Sequence, residues 1–166
     1  MTIIIKNKET LIFGDFKFRC SIGKNGFTKN KIEGDKKTPT GVYKIGNLYY
    51  RKLLKSKIRT KLKCIQIQKN MGWCDNPEDK KNYNKLIKIK KKIKCEKLYR
   101  KDRKYDLLIP IHYNTNKIIP GKGSAIFIHL TKNYNNTLGC IALKKSDFLI
   151  LLRLINKETK IKILIS

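Results

Sequence analysis

The sequence lacks any apolar run long enough to cross a membrane, and it is poor in acidic residues. Its longest apolar runs have about five residues, as at positions 148–152, whereas a membrane-spanning helix needs about 20. Only 12 Asp and Glu stand against 40 Lys and Arg in 166 residues, which gives a formal net charge of +28. We therefore expect no transmembrane segment, and the excess of positive charge needs an interpretation.

Arginine, alanine and valine are also scarce, and this bears on what the charge means. The basic residues are 34 Lys but 6 Arg, and there are 25 Ile and 14 Asn against two Ala and one Val. Lys, Ile and Asn have AT-rich codons, so drift of the genome toward A and T produces this profile. Nucleic-acid readers favour the planar guanidinium of Arg. We expect no specific nucleic-acid partner, although a surface this basic attracts polyanions at low salt.

The five cysteines include no CxxC pair, and the two histidines, His112 and His129, lie far from any pair of cysteines. Metal-binding spacing is therefore absent, and we expect neither a metal nor a cofactor. An odd number of cysteines leaves at least one thiol unpaired. Residues 1–6 show no long apolar stretch and no cleavage site of a secretory signal. This pattern indicates a reducing compartment.

Alternating apolar residues predict a mainly β protein with a few short helices. The pattern predicts strands at 3–5, 11–13, 16–22, 42–45, 107–112, 125–130 and 159–165. One helix is expected at 146–155 with a Ser or Asp N-cap, and an edge strand protected by lysines at 87–93. Residues 48–104 are Lys-rich, but no repeat or linker divides the chain. We expect a single domain over residues 1–166, acting as a monomer.

The chemistry is expected around His129 and Cys140. His129 ends an apolar strand, an Asn-rich loop follows, and Gly139 and Cys140 then open a second apolar segment. Such an arrangement is able to bring a thiol and an imidazole together, with a glycine that lets backbone N–H groups face an oxyanion. The alternative is that Cys140 is a small buried hydrophobe and His129 a core histidine.

The order His129, Thr137, Gly139, Cys140, Ile141 resembles the active-site signature of the L,D-transpeptidase catalytic domain (YkuD-like) family. Upstream, the stretch 35–43 resembles the Thr-Pro-x-Gly turn of that family, which leads into an aromatic-containing strand. Segments 72–75, 105–106 and 113–114 resemble further marks of one branch of it. The resemblance implies a YkuD-like β-sandwich catalytic domain and a cysteine acyl-transfer site.

Carried over to this chain, the resemblance implies that Cys140 is the nucleophile and His129 its base. The backbone N–H of Cys140, with or without that of Gly139, is expected to bind the oxyanion, and the Thr137 hydroxyl to shape the loop. Further substrate-binding candidates, each also readable as a structural residue, are Ser124, Trp73, His112 and Tyr134.

The resemblance also implies a substrate and a cellular location. The family acts on peptidoglycan stem peptides through a thioester acyl-enzyme, which an amine resolves into a cross-link or water resolves by hydrolysis. This substrate favours the periplasm or cell wall, against the reducing compartment that the cysteines suggest. One departure is Ala142, where many members carry an Arg, so that contact is either missing or supplied by another residue such as Lys144 or Lys145. The rival interpretation is a catalytically degenerate basic module that binds an anionic polymer such as nucleic acid.

Overall fold

The computed structural model describes residues 1–90 and 93–164 and confirms the mainly β class. The strands are β1 (Thr2–Asn7), β2 (Thr10–Phe13), β3 (Phe16–Ser21), β4 (Phe27–Thr28), β5 (Thr38–Pro39), β6 (Gly41–Lys44), β7 (Leu48–Tyr50), β8 (Cys64–Gln66), β9 (Met71–Trp73), β10 (Leu86–Lys88), β11 (Glu96–Lys97), β12 (Leu107–Pro110), β13 (Phe127–Leu130), β14 (Ile141–Leu143) and β15 (Lys160–Ile163). The helical segments are a 3-10 helix at Lys52–Lys57 and the α-helix α1 at Lys145–Leu154. In the described part of the chain, neither helical segment is long and apolar enough to span a membrane.

Ten strands form one sheet that folds over on itself. Their order is β6-β15-β1-β2-β3-β14-β13-β12-β7-β8. An isolated bridge joins Ile45, just after the edge strand β6, to Ile111, just after β12. The first half of the sheet is thereby brought over the second half, as in a β-sandwich, and the main hydrophobic core lies between the halves.

The first three predicted strands form an antiparallel meander. Strand β2 pairs with β1 on one side and with β3 on the other. Every second side chain enters the main core, because successive residues of a strand point to opposite faces. The buried members are Ile3, Ile5, Leu11, Phe13, Phe18 and Cys20.

The second half of the sheet is buried on both faces, and this positions the site. On β13, Ile128 and Leu130 contact the main core, whereas Phe127 joins a second cluster on the opposite face. That cluster also contains Trp73 and Cys140. A smaller sheet, in the order β10-β9-β11, contributes to it and covers this face.

The helix begins where it was expected, but the predicted cap is wrong. The N-cap residue is Lys144, and it makes no side-chain capping bond. The chain leaves β14 at Leu143 and turns at once into the helix, so Ser146 and Asp147 already lie in the first turn. Asp147 still favours the helix from there, because a negative charge complements the N-terminal end of the helix dipole.

Two strand predictions hold in part. β15 pairs in parallel with β1 and antiparallel with β6, so it lies inside the sheet, and the predicted end at Ile165 falls outside the described residues. β10 is indeed an edge strand of the smaller sheet. It covers only Leu86–Lys88, and positions 91 and 92 of the lysine run 88–94 fall outside the described residues.

Candidate active site

Two neighbouring parallel strands carry the candidate nucleophile and base. β13 and β14 pair in parallel with His129 opposite Ala142, and Cys140 directly precedes β14. His129 and Cys140 line the same cavity of about 760 Å³. Two residues on either side of the loop that connects β13 to β14 are thus brought to one cavity.

The cavity takes in some of the predicted site residues and leaves out others. Thr137 and Ser124 line it together with Cys140 and His129. The lining does not include Trp73, His112 or Tyr134.

The Cys140 thiol is buried against the backbone of the preceding strand. It donates to the carbonyl oxygen of Ala125 at 3.2 Å and accepts from the N–H of Phe127 at 3.4 Å. Burial raises the pKa of Cys140 to about 12, because desolvation disfavours the thiolate, and the hydrogen bond from Phe127 offsets this only in part. The resting thiol is therefore protonated.

The His129 imidazole is also neutral. Burial lowers the pKa of His129 to about 4, because desolvation disfavours the charged imidazolium. The hydrogen bond to Leu130 raises this pKa and offsets the effect only in part. Its Nδ1 lies 2.9 Å from the Leu130 carbonyl oxygen, an acceptor only. We assign the proton to Nδ1 for this reason, which leaves the lone pair on Nε2. The ring of Tyr105 packs edge-on against the imidazole, with centroids 5.2 Å apart.

A small network of hydroxyl groups shapes the turn before Cys140. The Thr137 hydroxyl donates to the Cys140 carbonyl at 2.6 Å and accepts from the Gly139 N–H at 3.1 Å. The Thr38 hydroxyl donates to the Gly139 carbonyl at 2.9 Å and accepts from the Gly23 N–H at 2.9 Å. Thr38 belongs to the Thr-Pro turn, so the upstream motif holds the turn that carries the cysteine.

Gly139 is required at its position. Its φ of +139° belongs to glycine, and a Cβ there would come within 2.9 Å of the Lys37 carbonyl oxygen. Because its N–H is bonded to Thr137, that N–H is not free for an oxyanion. The backbone N–H of Cys140 has no acceptor among residues 1–90 and 93–164, which leaves it as the available donor.

A buried amide holds the segment against which the thiol lies. Asn84 Oδ1 accepts from Trp73 Nε1 at 2.9 Å and from the Ala125 N–H at 3.1 Å. Its Nδ2 donates to the carbonyls of Tyr113 and Asn114 at 3.0 and 2.8 Å. Ala125 has a φ of +50°, a left-handed conformation that costs a non-glycine residue energy. The Asn84 contacts stabilise this conformation and so place the Ala125 carbonyl oxygen, which accepts the hydrogen bond of the Cys140 thiol.

A buried ion pair borders the same turn. Lys31 is 3% exposed and its ammonium lies 2.5 Å from the Asp35 carboxylate. Its aliphatic stem packs against Gly123, where a Cβ would come within 2.7 Å of Lys31 Cγ, and its Cε lies near Gly139. The Lys31 charge opposes the rise in the pKa of Cys140. Lys31 is thus a cation built into the cavity wall.

The cavity wall also holds a guanidinium, that of Arg100, which two carboxylates already bind. Arg100 Nη1 binds Glu96 at 2.8 Å and its Nη2 binds Asp102 at 2.6 Å. The guanidinium also lies 5.0 Å from the centroid of the Tyr105 ring. Because two carboxylates hold it, Arg100 positions Tyr105 beside His129 and is not a free anchor for a substrate carboxylate.

Three substrate-binding candidates lie elsewhere in the structure. Trp73 packs edge-on against Phe127, 5.3 Å between centroids, which is the core-packing alternative. His112 is exposed, and its Nε2 lies beside Gly46 at the end of the sheet. The Tyr134 ring is stacked by the Arg19 guanidinium at 4.6 Å, outside the cavity.

The candidate replacements for the missing arginine are also absent from the cavity wall. Lys144 lies over the Tyr134 ring at 5.4 Å, and Lys145 begins α1. Neither residue lines the cavity, because the chain turns into the helix straight after β14. The basic residues of the lining come from other segments: Lys31, Lys36, Arg100, Lys104 and Lys132.

Residues that sequence reasoning missed come from distant segments. Tyr105, Glu96, Asn84 and Lys31 meet the site through folding, and only Tyr105 had a signal, as part of the 105–106 mark. A lysine among 34 carries no local sign of burial. Within the described ranges, no group of His, Cys, Asp and Glu is arranged to hold a metal ion.

Comparison with known proteins gives the family and the fold. The YkuD family model, described as the L,D-transpeptidase catalytic domain, matches residues 1–163. Two solved structures are similar at 16% identity: Bd1075 of Bdellovibrio bacteriovorus, covering 98% of this chain and 47% of that one at a TM-score of 0.49, and the helical cell shape determining protein Pgp2 of Campylobacter jejuni, covering 99% and 46% at 0.50. The chain thus spans about half the length of each. No curated protein sequence matches it.

Proposed function

The chain belongs to the L,D-transpeptidase catalytic domain family, and from this premise we propose that it is a cysteine-dependent L,D-transpeptidase acting on peptidoglycan stem peptides. One observation carries the proposal: Cys140 and His129 line one cavity, with an unbonded backbone N–H at Cys140 among the described residues. A nucleophile, a base and an oxyanion donor are the parts that acyl transfer through a thiol requires.

The first half-reaction forms a thioester. The thiol turns from the Ala125 carbonyl toward His129, and Nε2 takes its proton as Sγ attacks the carbonyl carbon of the donor stem. The oxyanion accepts a hydrogen bond from the Cys140 N–H. When the tetrahedral intermediate collapses, His129 returns the proton to the leaving amine of the terminal D-alanine.

The second half-reaction releases the thioester. An amine of another stem attacks the carbonyl, His129 takes the proton from that amine, and the thiolate leaves and is reprotonated. Water in place of the amine gives the shortened stem. Because both reacting groups are neutral at rest, the proton moves during attack rather than before it.

A carbapenem tests the proposal, because its strained ring acylates the same thiol. We expect the wild-type protein to gain the mass of one carbapenem and Cys140→Ala to gain none. The matched control is Cys64→Ser, which removes an exposed thiol outside the cavity and keeps the adduct. An unmodified wild type, or an equal adduct on Cys140→Ala, contradicts the proposal.

The outcome of the thioester and the location of the protein need separate measurements. Muropeptide products with and without an acceptor amine separate cross-linking from hydrolysis, since a hydrolase yields only the shortened stem. We propose the periplasm or cell wall as the site of action because the substrate lies there. Cell fractionation with an antibody checks this, and light scattering checks the proposed monomer.

A further inference from the structure

Two cysteines outside the catalytic pair lie next to paired strands of the smaller sheet: Cys74 directly follows β9, and Cys95 directly precedes β11. β9 and β11 pair antiparallel, with Trp73 opposite Glu96 and Gly72 opposite Lys97. The same register, continued by one residue, sets Cys74 opposite Cys95. Neither residue has a part in the proposed acyl transfer.

The position of these two cysteines in the antiparallel ladder favours a disulfide bond between them. The Leu98 N–H donates to the Met71 carbonyl at 3.1 Å, so these two residues form a hydrogen-bonded pair of the ladder. Hydrogen-bonded and non-hydrogen-bonded pairs alternate in an antiparallel ladder. Two steps further, Trp73 and Glu96 are hydrogen-bonded, and Cys74 and Cys95 are then a non-hydrogen-bonded pair. Such pairs have Cα atoms about 4.5 Å apart, within the span of a disulfide.

The Cys95 thiol occupies the space above Gly72, which has no side chain. Cys95 Sγ lies over Gly72, where an added Cβ would be only 2.6 Å from it. Because Gly72 and Cys74 lie two residues apart on one strand, they share a face, and a rotation about χ1 turns the thiol from one to the other. Cys74 is fully buried and Cys95 is partly exposed.

We propose that Cys74 and Cys95 form a cross-strand disulfide when the protein meets a small-molecule disulfide such as oxidised glutathione. The Cys95 thiolate attacks one sulfur of the oxidised glutathione, forming a mixed disulfide and releasing one glutathione thiolate. The Cys74 thiolate then attacks Cys95 Sγ and expels the second. The two protons that the cysteines lose are taken up by the two glutathione thiolates, and the two electrons thus reduce oxidised glutathione to two thiols.

The bond closes the segment 74–95 and joins the ends of β9 and β11. The neighbouring residues Asp75 and Glu96 both line the cavity, so the disulfide holds one side of it. Burial raises the pKa of both Cys74 and Cys95, so the exchange is slow at neutral pH and speeds up in alkali. The proposal does not depend on the acyl-transfer function.

The test is oxidation of the Cys64→Ser protein with oxidised glutathione at about pH 8.5, followed by mass spectrometry and peptide mapping. Removing the exposed Cys64 thiol avoids an unrelated adduct. We expect the loss of two hydrogens and a linked peptide pair containing Cys74 and Cys95. A stable glutathione adduct on Cys95, or linkage of either cysteine to a different one, overturns the proposal.

Single substitutions in the same background give the matched controls. With Cys74→Ser, Cys95 retains one glutathione; with Cys95→Ser, Cys74 stays reduced. Oxidation of the parent is expected to raise Tm by roughly 5–10 °C, because a loop of this length loses unfolded-state entropy when closed. An unchanged or lower Tm on oxidation overturns the proposal, since the paired geometry would then not be native.

Discussion

At the residue scale, burial decides the protonation state of both reacting groups. Cys140 and His129 are each less than a tenth exposed, and the pKa of the thiol is raised while that of the imidazole is lowered. A preformed thiolate–imidazolium pair is therefore disfavoured in the free protein. The protein relies on His129 as an uncharged base that accepts a proton only as the bond to carbon forms.

We predict an acylation rate that is nearly independent of pH from about 6 to 9. The pKa of His129 is about 4, so the imidazole is a free base throughout this range, and the rate falls only as pH drops toward 4. The pKa of Cys140 is about 12, so the rate gains nothing from added thiolate. The measurement is carbapenem acylation by mass spectrometry, with iodoacetamide labelling of the exposed Cys64 as the control. A rate that rises and then falls with pH within this range would contradict the prediction.

We predict that Asp35→Asn destabilises the protein more than Lys31→Met. Asp35→Asn leaves the 3%-exposed Lys31 ammonium without its carboxylate, and an unpaired buried charge costs about 3 kcal/mol or more. Lys31→Met keeps the packed stem and leaves Asp35, which is 15% exposed and bonded to two backbone N–H groups. Urea unfolding gives both free energies, and the double variant checks the coupling. Equal losses from the two single variants would show that the ion pair has no such asymmetry.

At the element scale, the Thr-Pro turn and the cysteine turn act as one unit. Thr38 lies more than a hundred residues before Cys140 in the sequence. Its hydroxyl bonds both Gly23 and Gly139, and an isolated bridge joins Gly23 to Thr137. The Thr-Pro turn and the turn before Cys140, which are far apart in the sequence, are thus in direct contact in the fold. It is this contact that orients the Cys140 N–H.

We predict that Thr38→Val lowers the free energy of unfolding by about 2 kcal/mol and slows acylation. Valine keeps the volume but leaves the buried Gly23 N–H and Gly139 carbonyl without their partner. The control is Thr40→Val in the same turn, whose hydroxyl bonds only the Thr28 carbonyl, away from the site. Similar acylation rates for the two variants would disprove a role for Thr38 in orienting the cysteine.

At the scale of the whole molecule, the +28 charge is not concentrated in the cavity. The basic residues of its wall are accompanied by acidic ones: Glu33, Asp75, Glu96 and Asp102. The remaining lysines of the described residues lie at the outer surface, as genome-wide drift toward lysine would produce. The charge therefore acts as a general property of the surface rather than as a site.

We predict that the protein binds DNA at low salt without sequence preference and releases it at moderate salt. Counterion release makes such binding fall steeply with salt concentration. Carbapenem acylation is expected to vary far less over the same range, because the reacting groups are buried and uncharged. Fluorescence anisotropy with two unrelated duplexes measures the first effect. Salt-resistant, sequence-selective binding would instead favour the rival basic-module function.

Much of the fold was accessible from local pattern, because alternation reports burial directly. The strands carrying Ile3 and Phe18 alternate with one face in the core, whereas the strand carrying Ile128 is a short apolar run buried on both faces; all three predicted strands are confirmed. The predicted helix cap was wrong because Ser146 has good capping chemistry, but the turn after β14 places the N-cap at Lys144, two residues before it. The placing of Trp73 and His112 depended on which strands pair, and alternation does not report that.

The sequence by itself determined the chemical types and their order: a histidine at the end of a strand, a glycine and a cysteine after a loop, and a Thr-Pro turn upstream. Only the tertiary structure decided which residues share the cavity, that Lys31 is buried beside the turn that carries Cys140, and that β9 pairs with β11, next to Cys74 and Cys95. Side-chain alternation and turn chemistry are local, so they can be read along the chain. Strand register, burial of charge and the resulting protonation states arise from contacts between distant segments, and they exist only once the sheet has closed.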